Sequence, residues 1–266
     1  MVDELFSVAG QIVLVSGGSR GIGRALAGGF ACRGAQVVIT GRDVATLTQT
    51  AAELSEDSPF PVLPLVCDVT NCAAIEQTVG ELLSRWGQID CLINVAGVNR
   101  RKPVLELNEE DYDFVTDINV KGAFLLSREV GRHMVARRAG SQIQVTSLNN
   151  DRPLKNVAPY AMSKAALGHL TRALALEWGP SGVRVNALAP GFILTDLTQK
   201  LWSQPHMQAW GRQNTPLGRI GQPNDLIGTA IFLASPAAAF LTGQIIYVDG
   251  GFTAGWNWPI PEDGGQ

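Results

Sequence analysis

Ser16-Gly17-Gly18-Ser19-Arg20-Gly21-Ile22-Gly23 follows directly on the apolar run Ile12-Val13-Leu14-Val15. A short apolar run that breaks into glycines and resumes as a helix-length segment reads as a strand, a tight turn and a helix. The glycines at 17, 21 and 23 are spaced G-x-x-x-G-x-G. Glycine there permits a tight turn and lets backbone approach a pyrophosphate closely, and the helix start that follows offers N–H groups and a favourable dipole. This spacing differs from the common G-x-G-x-x-G fingerprint. A glycine-rich turn without a ligand is the plainer alternative, and its place between strand and helix favours nucleotide binding.

Outward from this turn, the chain alternates strand and helix to its end. Further apolar runs stand at 37–40, 62–66, 92–95, 143–146, 183–188 and 245–248. Such continuous runs suit strands buried on both faces. Helix-length segments fall at 21–33, 44–54, 72–86, 109–138, 158–178 and 224–234. Seven strands with intervening helices predict a single-domain α/β fold, a doubly wound (Rossmann) seven-stranded parallel sheet with helices on both faces. Residues 191–221 interrupt the alternation as a long insertion rich in large apolar side chains, which predicts a substrate lid. The tail, 252–266, carries Trp256 and Trp258, which predict docking against another subunit or the rim of the site.

Composition excludes several classes. The chain has 266 residues with a net charge of −3, so no basic field attracts nucleic acid. No apolar run is long enough for a membrane span. The first residues include Asp3 and Glu4 and lack a basic region, which argues against a secretory signal. Cys32, Cys67, Cys72 and Cys91 fit neither zinc nor disulfide spacing, and three of them are expected to be buried free thiols. No metal site is expected from the scattered His133, His169 and His206. A reduced, cytoplasmic location follows.

Tyr160 and Lys164 lie four residues apart, on one face of the helix predicted for 158–178. A nearby ammonium favours a phenolate, so the pair is a candidate proton donor and acceptor. Ser147 ends the fifth apolar run, where ligands meet such sheets. No Gly-x-Ser-x-Gly elbow surrounds it, which argues against a hydrolase.

These elements, in this order, resemble the short-chain dehydrogenase/reductase family over nearly the whole chain. The landmarks are the glycine turn, Cys67-Asp68-Val69, Asn94-Val95-Ala96-Gly97, Asn119, Ser147, Tyr160 with Lys164, Pro190-Gly191 and Val248-Asp249-Gly250-Gly251. Val95 stands where the family usually has a second asparagine. The resemblance implies catalysis by Asn119, Ser147, Tyr160 and Lys164. Tyr160 exchanges a proton with the substrate oxygen, Lys164 lowers the tyrosine pKa, Ser147 orients the carbonyl, and Asn119 holds a relaying water. It implies cofactor contacts from Gly17, Ser19, Arg20, Gly21, Ile22, Gly23, Asp68, Val69, Asn94, Ala96, Gly97, Tyr160, Lys164, Pro190, Gly191, Ile193 and Thr195.

Cofactor choice turns on the end of the second strand. Asp43 reads as the N-cap of the next helix. In the family pattern the acidic position falls on Gly41, with Arg42 beside it and Arg20 in the glycine turn. Two guanidinium groups suit a 2′-phosphate, so NADP is expected, NADPH in preference to NADH. Arg100 and Arg101 follow the Ala96-Gly97 turn, and Arg101 is a candidate for holding a substrate carboxylate. Asn149 and Trp202 are further substrate-binding candidates. The double arginine and Thr215-Pro216-Leu217-Gly218-Arg219 look most like gluconate 5-dehydrogenases and related sugar-acid or polyol enzymes, whereas Leu194, Trp202, Met207 and Trp210 suit a cyclic or aromatic ketone. Oxidoreduction of a small ketone or secondary alcohol is the expected activity, with an NAD-dependent dehydrogenase or a non-catalytic dinucleotide sensor as alternatives. As in the family, the long helices 109–138 and 158–178, rich in small residues, imply one subunit interface, and Trp256 and Trp258 imply a second, so a homotetramer is expected.

Overall fold

A computed structural model describes residues 4–256. Seven strands form one fully parallel sheet in the order β3-β2-β1-β4-β5-β6-β7. They are β1 (Ile12–Ser16), β2 (Gln36–Gly41), β3 (Leu63–Val66), β4 (Cys91–Asn94), β5 (Gly140–Val145), β6 (Val183–Pro190) and β7 (Ile245–Val248). The helices packed around it include α1 (Gly21–Ala31), α2 (Val44–Glu56) and α3 (Cys72–Trp86). The chain winds outward from β1 to β3, then crosses back to pair β4 with β1, in register Ser16↔Asn94. That reversal opens a crevice at the carboxyl ends of β1 and β4, where ligands bind in such sheets.

The strands are apolar throughout because both faces are covered. Along β1, Val13 and Val15 pack with Leu26 and Phe30 of α1 on one face, while Leu14 packs with Leu82 of α3 on the other. Each such side chain is fully buried, contributing about 1.5–3 kcal/mol apiece. Asp43 caps α2 as expected, accepting from Thr46 N at 2.8 Å. Asn71 caps α3, accepting from Ala74 N at 3.2 Å.

Three expectations change. The helix expected over 109–138 is three pieces: α4 (Glu109–Thr116), a π-helical turn (Asp117–Gly122) and α5 (Ala123–Arg137). Residues 191–221 are not a plain loop. They hold α7 (Asp196–Trp202) and α8 (Pro205–Asn214), and return through a parallel bridge of Ile193 with Gly221. The final helix opens as a 3₁₀ turn (Pro223–Leu226) before α9 (Ile227–Ala234), with Asp225 paired in bidentate fashion to Arg219 at 2.7 and 2.8 Å. The remaining long helix is α6 (Ala158–Trp178).

Cys67 and Cys91 are buried, but Cys32 and Cys72 are exposed, so two thiols rather than three are interior. Burial pushes the Cys91 thiol up to about 12, which leaves it unreactive. Among the described residues, no helix is long and apolar enough to cross a membrane, and no group of acidic, His or Cys residues is placed to hold a metal ion. Trp256 is exposed; Trp258 and the rest of the predicted tail lie outside the described residues.

Candidate active site

The glycine turn is shaped by close approach. Gly17 and Gly21 adopt φ of +73° and +50°, a region costly for other residues. A methyl group on Gly17 would lie 2.8 Å from the Ala96 backbone, one on Gly23 would lie 2.1 Å from Gly17 O, and one on Gly21 would meet Thr195 at 3.4 Å. The turn is held down by Gly17 N and Gly18 N, which donate to Thr40 O at 2.9 and 3.1 Å. No side-chain hydrogen bond caps the start of α1, which leaves its first-turn N–H groups without a side-chain acceptor.

Across the crevice, Val95 N and Ala96 N both donate to Ser16 O at 3.1 Å, seating the β4 turn beside the glycines. Asn94 does not face the crevice with its side chain. Its buried amide donates to Ser127 Oγ at 2.9 Å and Gln144 Oε1 at 3.0 Å, fixing the strand end beneath the turn. Val95 occupies the family's second asparagine position and packs on the core. Asp68 accepts from Thr70 N at 3.0 Å, and Val69 sits against Gly122, whose missing Cβ would lie 2.7 Å from Val69 Cγ2. Gly191 follows Pro190 with its N–H on Val248 O at 3.0 Å, and Ile193 is buried beside it.

At the end of β2, a methyl on Gly41 would lie 3.4 Å from Ser19 Oγ. Arg20 donates to Thr46 Oγ1 at 3.0 Å, which turns it toward the start of α2 and Asp43. Arg42 is exposed on the turn. Ser19, Arg20, Gly41 and Arg42 thus gather in one corner.

The four expected catalytic residues come together from three segments: the π turn (Asn119), the stretch just beyond β5 (Ser147) and α6 (Tyr160 and Lys164). Asn119 is fully buried in the π turn, and such turns recur at functional sites. Its Oδ1 accepts from Val98 N at 2.8 Å, and its Nδ2 donates to Val98 O at 2.9 Å and Ser163 Oγ at 3.0 Å. A methyl on Gly97 would lie 3.4 Å from Asn119 Oδ1 and 3.6 Å from Lys164 Nζ. Lys164 Nζ donates to Val145 O at 2.8 Å and lies 5.5 Å from the Tyr160 ring centre. Burial lowers the Lys164 ammonium to about 8. Tyr160 is not lowered as expected: desolvation raises its phenol above the ordinary value, and the Ser147 hydroxyl and then the Arg101 guanidinium pull it partly back. Ser147 stands two residues beyond β5, with Asn149 N and Asn149 Nδ2 both donating to its Oγ at 3.2 Å.

The two arginines separate. Asp111 takes Lys102 at 2.6 Å and Arg100 at 3.6 Å, and Arg100 also covers Phe114 at 4.2 Å from its ring centre. Lys102, above all, holds the Asp111 carboxyl below its usual range. Arg101, between them, acts electrostatically on Tyr160.

Two substrate candidates are placed differently from expectation. Trp202 is buried with its ring 5.2 Å from Phe192, in a cluster with Trp210 and Phe252, so it braces the helical segment instead of presenting a free face. The Asn149 amide is engaged within the protein: its oxygen accepts from Leu154 N at 3.0 Å while its nitrogen faces Ser147. Sequence reasoning missed Val145 O, Ser163, Asp111 and the Leu154 link. Each acts across a tertiary contact and leaves no local spacing signal, although Asp111 and Lys102 flank residues already singled out.

The glycine turn stands on one side of this crevice and Asn119, Ser147, Tyr160 and Lys164 stand on the other. A family profile described as enoyl-(acyl carrier protein) reductase matches residues 17–253, and the chain belongs to the short-chain dehydrogenase/reductase family. It is 38% identical to gluconate 5-dehydrogenase of Gluconobacter oxydans (strain 621H), covering 94% of this chain and 97% of that protein. It is 38% identical to galactitol 2-dehydrogenase (L-tagatose-forming) of Cereibacter sphaeroides, over 94% and 97% respectively. A gluconate 5-dehydrogenase from Burkholderia cenocepacia J2315, solved in complex with NADP and tartrate, superposes with a TM-score of 0.91 at 36% identity, covering 95% of this chain and 98% of that one.

Proposed function

We propose that this chain is an NADP(H)-dependent oxidoreductase that interconverts a small keto sugar acid, or a related polyol-derived ketone, and its secondary alcohol. The observation that carries this reading is the convergence of Ser147, Tyr160 and Lys164 beside the glycine turn, with Arg101 as the nearby cation that Asp111 does not hold. The names of the two curated relatives, and the NADP and tartrate in the Burkholderia complex, support it.

The cradle fits a dinucleotide. Gly17 and Gly23 let the turn close tightly on protein backbone, where a side chain would collide, and the uncapped start of α1 would hold the pyrophosphate. Ser19, Arg20 and Arg42 would hold a 2′-phosphate, with Gly41 placing no carboxylate against it. Asp68 and Val69 would border the adenine; Ala96, Gly97, Pro190, Gly191, Ile193 and Thr195 would frame the ribose and nicotinamide, with Asn94 fixing the Ala96-Gly97 turn from beneath. When bound, that cofactor supplies or accepts hydride.

Tyr160 donates a proton to the carbonyl oxygen during reduction and recovers it during oxidation. Ser147 hydrogen-bonds the same oxygen as negative charge develops there. Lys164 stands behind Tyr160, and Asn119 holds the adjoining turn for proton passage toward solvent. Arg101 engages the substrate carboxylate. Residues 191–221 act as the lid, braced by Phe192, Trp202 and Phe252. Exposed Phe124 and Met162, on α5 and α6, support assembly through those helices into a homotetramer.

The test is oxidation of NADPH and NADH against 5-ketogluconate and neutral ketones, with Tyr160→Phe as control. Turnover with NADPH that the phenylalanine variant lacks is expected. Undiminished turnover by that variant would overturn the assignment.

A further inference from the structure

The hydrogen bonds around Ser147 set its direction. A serine hydroxyl has one proton to give and two lone pairs to receive. Both lone pairs are taken by the same residue: Asn149 N and Asn149 Nδ2 each approach Oγ at 3.2 Å. The orientation of the amide is fixed independently. Leu154 N lies 3.0 Å from the other end of the Asn149 side chain, and a backbone N–H only donates. The amide oxygen must therefore face Leu154, which turns the NH₂ group onto Ser147. Asn149 is itself buried, as is Ser147, so water does not compete freely for either.

We infer that Asn149 is a positioning residue that saturates the acceptor sites of Ser147 and leaves its hydroxyl proton directed at the oxygen shared with Tyr160. This rests on the reading of Ser147 and Tyr160 given above and extends it to a residue that touches neither cofactor nor substrate. The consequence is chemical. A serine free to rotate can accept a hydrogen bond from protonated Tyr160 and leave the substrate oxygen with a single donor. A serine locked as donor serves the substrate oxygen during reduction and the phenolate when Tyr160 gives up its proton. The downward pull of Ser147 on the Tyr160 pKa is in keeping with that direction. The arrangement also gives the extended link between β5 and α6 a function: residues 148–154 carry the one side chain that bridges Ser147 and Leu154.

Asn149→Asp tests this with nearly unchanged shape. One carboxylate oxygen still accepts from Leu154 N, while the other, facing Ser147, forces the serine to donate to it. Reduction should lose about 100-fold in kcat, the scale of one lost oxyanion donor, with KM little changed. Asn149→Ala, which keeps the backbone donor and frees the hydroxyl to rotate, should lose less, about tenfold. An ultraviolet difference titration, assigned by subtracting Tyr160→Phe, reads the Tyr160 phenol without any substrate. Its midpoint should rise by about one unit in Asn149→Asp. An unchanged midpoint together with wild-type kcat would overturn the inference. So would equal losses in both variants accompanied by a matching rise in KM, since that marks a distorted loop. If the wild-type protein turns over none of the ketones, the proposed function fails, while the titration still decides the role of Asn149.

Discussion

Lys164 Nζ donates to the main-chain oxygen of Val145 at 2.8 Å, tying α6 to the end of the fifth strand. The bond holds a buried ammonium at the end of β5, two residues before Ser147, and burial lowers its pKa to about 8 from an ordinary 10.5. A lowered lysine means the unfolded chain binds more protons than the folded one between those values. Stability from this group therefore rises with pH from about 8 toward 10.5 and is at its least below 8. Denaturation of wild type and Lys164→Met across that window should show the wild type gaining on the variant as pH increases. Parallel curves would refute a buried, depressed lysine. The variant should also lose reductase activity.

Arg101 and Arg100 should part company in kinetics. Arg101→Ala is expected to raise KM for a keto acid by about 10- to 100-fold, the loss of one charge-assisted contact, and to spare a neutral ketone. Arg100→Ala removes a pair at 3.6 Å that Lys102 largely duplicates on Asp111, and should cost under about 1 kcal/mol of stability. Equal behaviour of acid and ketone in Arg101→Ala would remove the carboxylate contact.

Gly41→Asp should exchange cofactor preference. A carboxylate there would stand beside Ser19, whose Oγ lies 3.4 Å from the Cβ position. It would repel a 2′-phosphate and accept from a free 2′-hydroxyl. NADPH affinity should fall by about 100-fold with NADH retained or improved; Arg42→Asp should act in the same direction. Titration of both cofactors reads the result, and parallel losses would count against the assignment of this corner.

Gly17→Ala should lose cofactor binding before it loses the fold. The new methyl would approach the Ala96 backbone to 2.8 Å at φ +73°, a strain of about 1–3 kcal/mol that is relieved by parting the two turns. Cofactor affinity measured beside thermal unfolding should show binding impaired while the melting temperature falls by only a few degrees. Wild-type affinity would show that the turn contacts nothing.

Much of this was legible in the chain. Seven apolar runs separated by helix-length segments implied a buried parallel sheet, because strands covered on both faces need no polar alternation. Asp43 was readable as a cap because its carboxylate acts on a backbone N–H three residues ahead. Tyr160 and Lys164 were readable as a pair because helical spacing is local. The π turn at Asn119 was not, since it depends on Val98 and Ser163, 21 and 44 residues distant in sequence. Nor was the separation of Arg100 from Arg101, which Asp111 decides, or the inward packing of Trp202 against Phe192. The raised phenol of Tyr160 was equally out of reach, because desolvation is set by what the whole fold brings around a group. Sequence determined the elements, their order and the chemical types available. Tertiary structure alone decided which polar atoms face one another and with which polarity, because those are contacts between segments whose separation no local spacing encodes.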